Sequence, residues 1–200
     1  MSKTVKGSSN FSARAPVSKA DLAPEYRTFK FKAFFHPSPT PPMEDQEFYI
    51  KIAKACADAY RSDDHAELRE RIDEWLDFTI QTHPEQYGDA VYMDHTYRGL
   101  LALDSGDIET ARLELLKSGK APPSPVLKSF GPNLSLGKRM LEAGEKETVL
   151  KFLDLCKTFW VLPLRLMHIP RWKKSIEAGE APNFGGNLFY LMDMPGLEEE

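Results

Sequence analysis

The stretch GLLALDSGDIETARLELL, which begins at Gly99, returns 38 residues later as GKRMLEAGEKETVLKFLDL, which begins at Gly137. Gly99 matches Gly137, Gly106 matches Gly144, Glu109-Thr110 matches Glu147-Thr148, Ala111 matches Val149 and Leu115 matches Leu153. Each unit reads as a helix, a short turn carrying a glycine, and a second helix. The spacing has a mechanical basis. A small residue in the first helix lets the second approach closely, and glycine at the turn supplies the left-handed backbone that ends the first helix. A bent pair of this kind cannot bury its apolar face alone and must stack on a neighbour. The repeat therefore predicts an all-α chain of stacked helical hairpins.

The rest of the chain fits around this pair. Residues 46–81 contain neither Gly nor Pro. Tyr49, Ile52, Ala53, Cys56 and Tyr60 share one helical face, and Leu68, Ile72, Trp75, Leu76 and Ile80 share another. Asp63 or Asp64 is placed to cap the second of these helices. Further helices are expected over Pro84–Ser105, Asp107–Ser118, Leu134–Ala143 and Glu145–Trp160. The loop GKAPPSPVLKSFGPN separates the two copies, a short basic helix, RWKKSIEAGE, follows Pro170, and the end packs irregularly through Phe184, Leu188, Phe189 and Tyr190. Residues 1–43 hold six prolines and one glycine, with seven basic and two acidic side chains. They read as an extended or disordered leader in which FKFKAFF, Phe29–Phe35, is the one segment able to dock. Residues 44–192 then form the helical domain and 193–200 an acidic tail.

The order Gly99, Ala111, Leu115, Pro123 resembles the tetratricopeptide repeat, in which Gly is followed by Ala, a large residue and Pro at fixed offsets. The second unit departs from it with Val149, Leu153 and no proline at the equivalent of Pro123, and its period exceeds the usual one. The resemblance covers about Tyr92 to Trp160 and implies an α-α superhelix. The FGPN loop, the CxxFW ending at Cys156–Trp160 and the PxFGxNL loop from Pro182 are similar to those of a group of bacterial helical-repeat proteins. That likeness implies a scaffold and no activity.

Composition narrows the classes. A net charge of −4 over 200 residues argues against a general nucleic-acid binder. No run of 18 apolar residues exists, so no membrane span is expected, and the N-terminal stretch lacks the apolar core of a secretory signal. A cytoplasmic location follows by elimination. Cys56 and Cys156 lie far apart on apolar stripes and read as small buried hydrophobes. The histidines, His36, His65, His83, His95 and His168, form no ligand motif, so neither a metal nor a cofactor is expected. The charge run RSDDHAELRERIDE reads as a solvated helix face.

The residues expected at a ligand- or partner-binding surface are Tyr92, His95, Phe130, Asn133, Lys138, Phe184 and Asn187. Tyr92, His95, Thr96, Leu103, Asn133, Leu134, Lys138 and Leu141 come from the first helix of each unit, the face that a hairpin stack offers to a protein or peptide. Phe130, Asn133, Phe184 and Asn187 come from the two Gly/Asn loops, Ser129–Lys138 and Pro182–Asn187. Neither loop has the order of a phosphate-binding motif, and turn chemistry accounts for both: Asn133 caps the helix after Pro132 and Gly131 takes an unusual backbone angle. Lys138-Arg139 with Arg165, Arg171, Lys173 and Lys174, beside Trp160 and Trp172, reads as solvated helix ends with tryptophans packed inward. A peptide-binding module is the leading reading. An enzyme or ligand-binding protein with a pocket near the Gly/Asn loops, starting from Asp94, His95, Asn133 and Asn187, comes second, with no catalytic motif to support it. A self-associating structural protein, a homo-oligomer supplying the burial that two repeats lack, comes third.

Overall fold

The computed structural model describes residues 43–161 and 163–188. The expected leader, up to residue 42, and the acidic tail lie outside them, as do Phe189 and Tyr190. The chain divides after His36, and every described residue belongs to the second unit, 37–200. Among the described residues there are eight α-helices and no strand. They are α1 (Met43–Arg61), α2 (His65–Gln81), α3 (Tyr87–Asp104), α4 (Ile108–Ser118), α5 (Pro125–Phe130), α6 (Ser135–Glu142), α7 (Lys146–Cys156) and α8 (Leu164–Glu177). None of them is long and apolar enough to cross a membrane.

Three tight turns organise the chain, and they are made the same way. In the turn from α3 to α4, Gly106 (φ 79°) donates to Leu103 O at 3.0 Å and Asp107 N donates to Ala102 O at 2.8 Å. In the turn from α6 to α7, Gly144 (φ 85°) donates to Leu141 O at 3.0 Å and Glu145 N to Met140 O at 2.8 Å. In the turn from α1 to α2 the left-handed position is held by Asp63 (φ 58°), which donates to Tyr60 O at 3.2 Å, while Asp64 N donates to Ala59 O at 3.0 Å. Each is a Schellman ending that satisfies the last carbonyls of the preceding helix. The sequence comparison does not reach the first turn because aspartate stands where the other two have glycine. A fourth ending of the same kind closes α8, where Gly179 (φ 79°) donates to Ile176 O and Glu180 N to Ser175 O. It sits in a second EAGE tetrapeptide, Glu177–Glu180, that matches Glu142–Glu145.

The hairpins pack in chain order. α2 lies between α1 and α3, α3 packs on α4 and α6, α4 on α7, α6 on α7, and α7 on α8. The positions that face these seams are the apolar stripes: Ile52, Cys56, Leu68, Ile72 and Trp75; Leu100, Ala111 and Leu115; Met140, Val149, Phe152, Leu153 and Cys156 are all buried. Burying a single Leu, Ile or Phe side chain of this kind stabilises the fold by about 1.5–3 kcal/mol. At Gly99 the approach of α3 and α6 is so close that an added Cβ would stand 2.3 Å from Leu136 Cδ2. At the matching Gly137 the nearest side-chain atoms, of Leu134 and Phe152, are 3.7 and 3.8 Å away. The two glycines share a turn register but not an environment.

Three elements differ from the sequence expectations. The stretch expected as loop contains α5, opened by Ser124, whose Oγ accepts from Leu127 N at 3.0 Å, with Pro125 at the first helical position. The last helix begins at Leu164 and runs through Pro170 instead of starting after it. Pro170 is exposed while Ile169, Trp172 and Ile176 are buried, so packing of the opposite face carries the helix across the missing donor. The helix expected to reach Trp160 ends at Cys156, and Trp160 N closes the last turn on Cys156 O at 3.0 Å.

Candidate functional site

The two Gly/Asn loops meet. Asn187 accepts from Leu134 N through its backbone carbonyl at 2.7 Å, and its side-chain amide donates to Phe130 O and Pro132 O, both at 2.9 Å. One asparagine thus closes three backbone groups of the other loop. Asn133 Oδ1 accepts from Ser135 N at 2.9 Å and from Ser135 Oγ at 2.6 Å. The helix cap proper is Leu134, so Asn133 braces the first turn from one position earlier than a cap residue. Tyr92, buried on α3, donates its hydroxyl to Asn133 O at 2.6 Å. The loop is therefore pinned from below by α3 and from the side by the C-terminal segment. The buried Tyr92 bond contributes about 1 kcal/mol and would cost more if one partner were removed.

Gly131 explains why the first loop needs its glycine twice over. Its φ is 82°, and an added Cβ would lie 2.3 Å from Trp160 Cε2. The loop backbone rests on the Trp160 ring. Around that ring an aromatic stack forms, with Trp160 and His168 stacked at 5.6 Å, Trp160 and Trp172 at 5.7 Å, and Trp172 meeting Phe184 edge-on at 5.3 Å. Trp172 Nε1 donates to Asn183 O at 3.0 Å. Both tryptophans face inward, as their apolar spacing implies, and Phe184 is buried beside them. Sequence reasoning named Phe184 and missed His168, whose only signal was its place four residues before Trp172.

Of the seven expected surface residues, the structure brings Tyr92, Phe130, Asn133, Phe184 and Asn187 into this one constellation. Tyr92, Asn133 and Phe184 are buried, so they shape the surface from beneath, while Phe130 is exposed. Lys138 lies on the exposed side of α6 and pairs with Glu142 at 3.7 Å. His95 belongs elsewhere: its Nδ1 lies 2.7 Å from Glu114 Oε2, between α3 and α4. Burial pushes the Glu114 carboxyl up, but hydrogen bonds from His95 and Lys117 outweigh it and hold it below the ordinary glutamate range. Neighbouring Asp94 is tied to Arg98 at 2.8 Å. The residues first in line for an enzymatic site are thus divided between two places, and their polar atoms are taken up by other groups: Asp94 by Arg98, His95 by Glu114, Asn133 by Ser135 and Asn187 by the backbone of the facing loop.

Three further polar clusters escaped the sequence reading. Tyr60 donates to Asp104 Oδ2 at 2.8 Å, Arg139 Nη1 donates to Tyr60 Oη at 2.8 Å, and Arg139 pairs with Asp104 at 2.7 Å. This triad joins α1, α3 and α6, and burial with the Asp104 contact pushes the Tyr60 hydroxyl up to about 12. Arg112 of α4 clamps Glu145 with two bonds of 2.5 Å. Asp89, fully buried near the start of α3, accepts from Ser124 Oγ and is flanked by Tyr49, and burial pushes its carboxyl up to about 7. Neither cysteine is activated: burial drives the Cys56 thiol up to about 12 and that of Cys156 well above its ordinary value. No family model, no curated protein and no solved structure matches the chain.

Proposed function

We propose that the chain is a helical-repeat binding module, built from tetratricopeptide-like hairpins and acting in the cytoplasm on a protein or peptide partner. The single observation that supports this most is the turn chemistry. Asp63, Gly106 and Gly144 occupy one left-handed position, and the hydrogen bonds around them correspond residue for residue across three hairpins. Cys56, Gly99 and Gly137 then stand seven residues before each turn, all buried, and Leu68, Ala111 and Val149 stand five after it, also buried. On this reading the first hairpin is a third copy, which supplies the number of units such stacks need for stability.

Stacking of this type leaves a concave face for a partner, and since α3 is buried along most of its length, the part of that face on offer lies at α6 and the loop before it. Lys138 on α6 lies on that face, and Phe130 stands just before it, where Asn187 holds the loop. A partner retained by the immobilised full chain, and released by Lys138→Glu at unchanged far-UV circular dichroism, is the expected result. Retention that ignores Lys138→Glu, or a chain that retains nothing from a native lysate, overturns the reading.

A further inference from the structure

Six large apolar side chains are exposed in the described part of the protein, and four of them fall between residues 130 and 167: Phe130 at 61 %, Leu164 at 38 %, Leu166 at 62 % and Met167 at 62 %. Three are on the first two turns of α8, and Val161 N, donating to Lys128 O at 3.3 Å, ties the approach to α8 to the end of α5 that carries Phe130. Solitary exposed hydrophobes need no explanation, whereas a cluster does.

The same helix is charged in one sense. From Lys157 to Ile176 the sequence holds five Lys or Arg and no Asp or Glu. Lys157 and Lys173 are taken up by Asp154, at 2.5 and 2.9 Å, and Arg165 donates to the carbonyl of Lys157 at 2.6 Å. Arg171 and Lys174 have no carboxylate partner among the described residues. Leu164, Met167, Arg171 and Lys174 are spaced three, four and three apart, so they form one stripe, directly opposite the buried Ile169, Trp172 and Ile176.

We propose that this outer face of α8 docks the protein on an anionic lipid surface. Apolar side chains and unneutralised cations in single file along one helix are what such a surface takes: the former enter the acyl boundary and the latter meet the headgroup charge. A stripe on one rod frames no recess of its own for an anchor side chain, so an acidic protein partner fits it less well than a plane of headgroups. The inference is independent of the hairpin reading, because it rests only on α8 and the end of α5.

The test is co-sedimentation of the full chain with vesicles of phosphatidylcholine alone and with phosphatidylcholine containing phosphatidylglycerol. Sedimentation with the anionic vesicles only, weakened by added salt, is expected. Each lost cation weakens binding by about fivefold, so Arg171→Ala with Lys174→Ala lowers it about 25-fold. Met167→Glu weakens it as well, and the exposed positions leave the thermal midpoint within about 2 °C of the parent. Should either variant unfold, Arg171→Gln with Lys174→Gln carries the same expectation. Equal sedimentation with both vesicle types overturns the proposal, as does none with either, or binding to soluble polyglutamate without binding to anionic vesicles.

Discussion

The hairpins α3–α4 and α6–α7 share a turn down to individual hydrogen bonds, yet they use it under different constraints. In the first, Gly99 lies under Leu136 and has no room for a side chain. In the second, a Cβ at Gly137 would meet Leu134 and Phe152 only at ordinary contact distance, 3.7 and 3.8 Å. The first caps α4 with Asp107, whose side chain accepts from Thr110 N at 3.0 Å, while the second opens α7 with Glu145, which makes no cap bond and instead holds Arg112. One local motif thus persists while the contacts that stabilise it are replaced. What is common to the hairpins is backbone chemistry, and what is particular to each is what packs against it.

Substitution at the two glycines separates these contributions most sharply. Gly99→Ala is expected to destabilise the fold by about 2–3 kcal/mol, because Leu136 is itself buried and has to move. Gly137→Ala should raise stability by up to about 1 kcal/mol through helix propensity and a stiffer unfolded chain. Chemical denaturation of both variants checks the pair, and equal losses would show that the two helices are crowded alike.

The pH dependence distinguishes the carboxylates of the first of these hairpins. Asp89 titrates near 7 in the folded protein against about 4 when exposed. Its neutral form therefore supports the fold fully below about pH 4, and that support is lost as pH rises through about 7. Asp89→Asn is expected to remove this decline and to leave the variant more stable than the parent above about pH 7, by roughly 1–3 kcal/mol. Glu114, held below its ordinary range by His95 and Lys117, acts in the opposite sense: its support is present above the ordinary glutamate range and fades on acidification. Thermal midpoints across the pH range for the parent, Asp89→Asn and Glu114→Gln resolve the two opposing slopes.

Smaller effects belong to the caps and the first turn. Asp107→Ala should cost about 1 kcal/mol by removing the cap of α4. Asp63→Gly relieves a left-handed aspartate and should stabilise by about 0.5 kcal/mol, the mirror of the cost expected for placing a side chain at Gly106. A destabilised Asp63→Gly would break the equivalence of the first turn with the other two.

Much of the helical framework was legible from apolar spacing and from Gly106 and Gly144, because both signals are local. The first hairpin escaped alignment since Asp63 does by side-chain tolerance what glycine does elsewhere. α5 was legible in principle from Ser124-Pro125 but is short enough to pass for loop. The passage of α8 through Pro170 could not be read locally, since burial of Trp172 and Ile176 decides it. At the site, the kinship of the two Gly/Asn loops hinted that they converge. That Asn187 would bind three backbone groups depends on contact between loops far apart in the chain, and that His95 would be drawn away to Glu114 depends on how α3 and α4 pack.

The buried thiols give the molecule two internal clocks. Cys56 sits in the first hairpin and Cys156 at the end of α7, both fully enclosed and both held in the unreactive protonated state. Alkylation of either must wait for its surroundings to part, so the labelling rate measures how often that happens. If both sites label in step, the hairpins come apart as one cooperative body; if Cys56 runs ahead, the stack unzips from its α1 side.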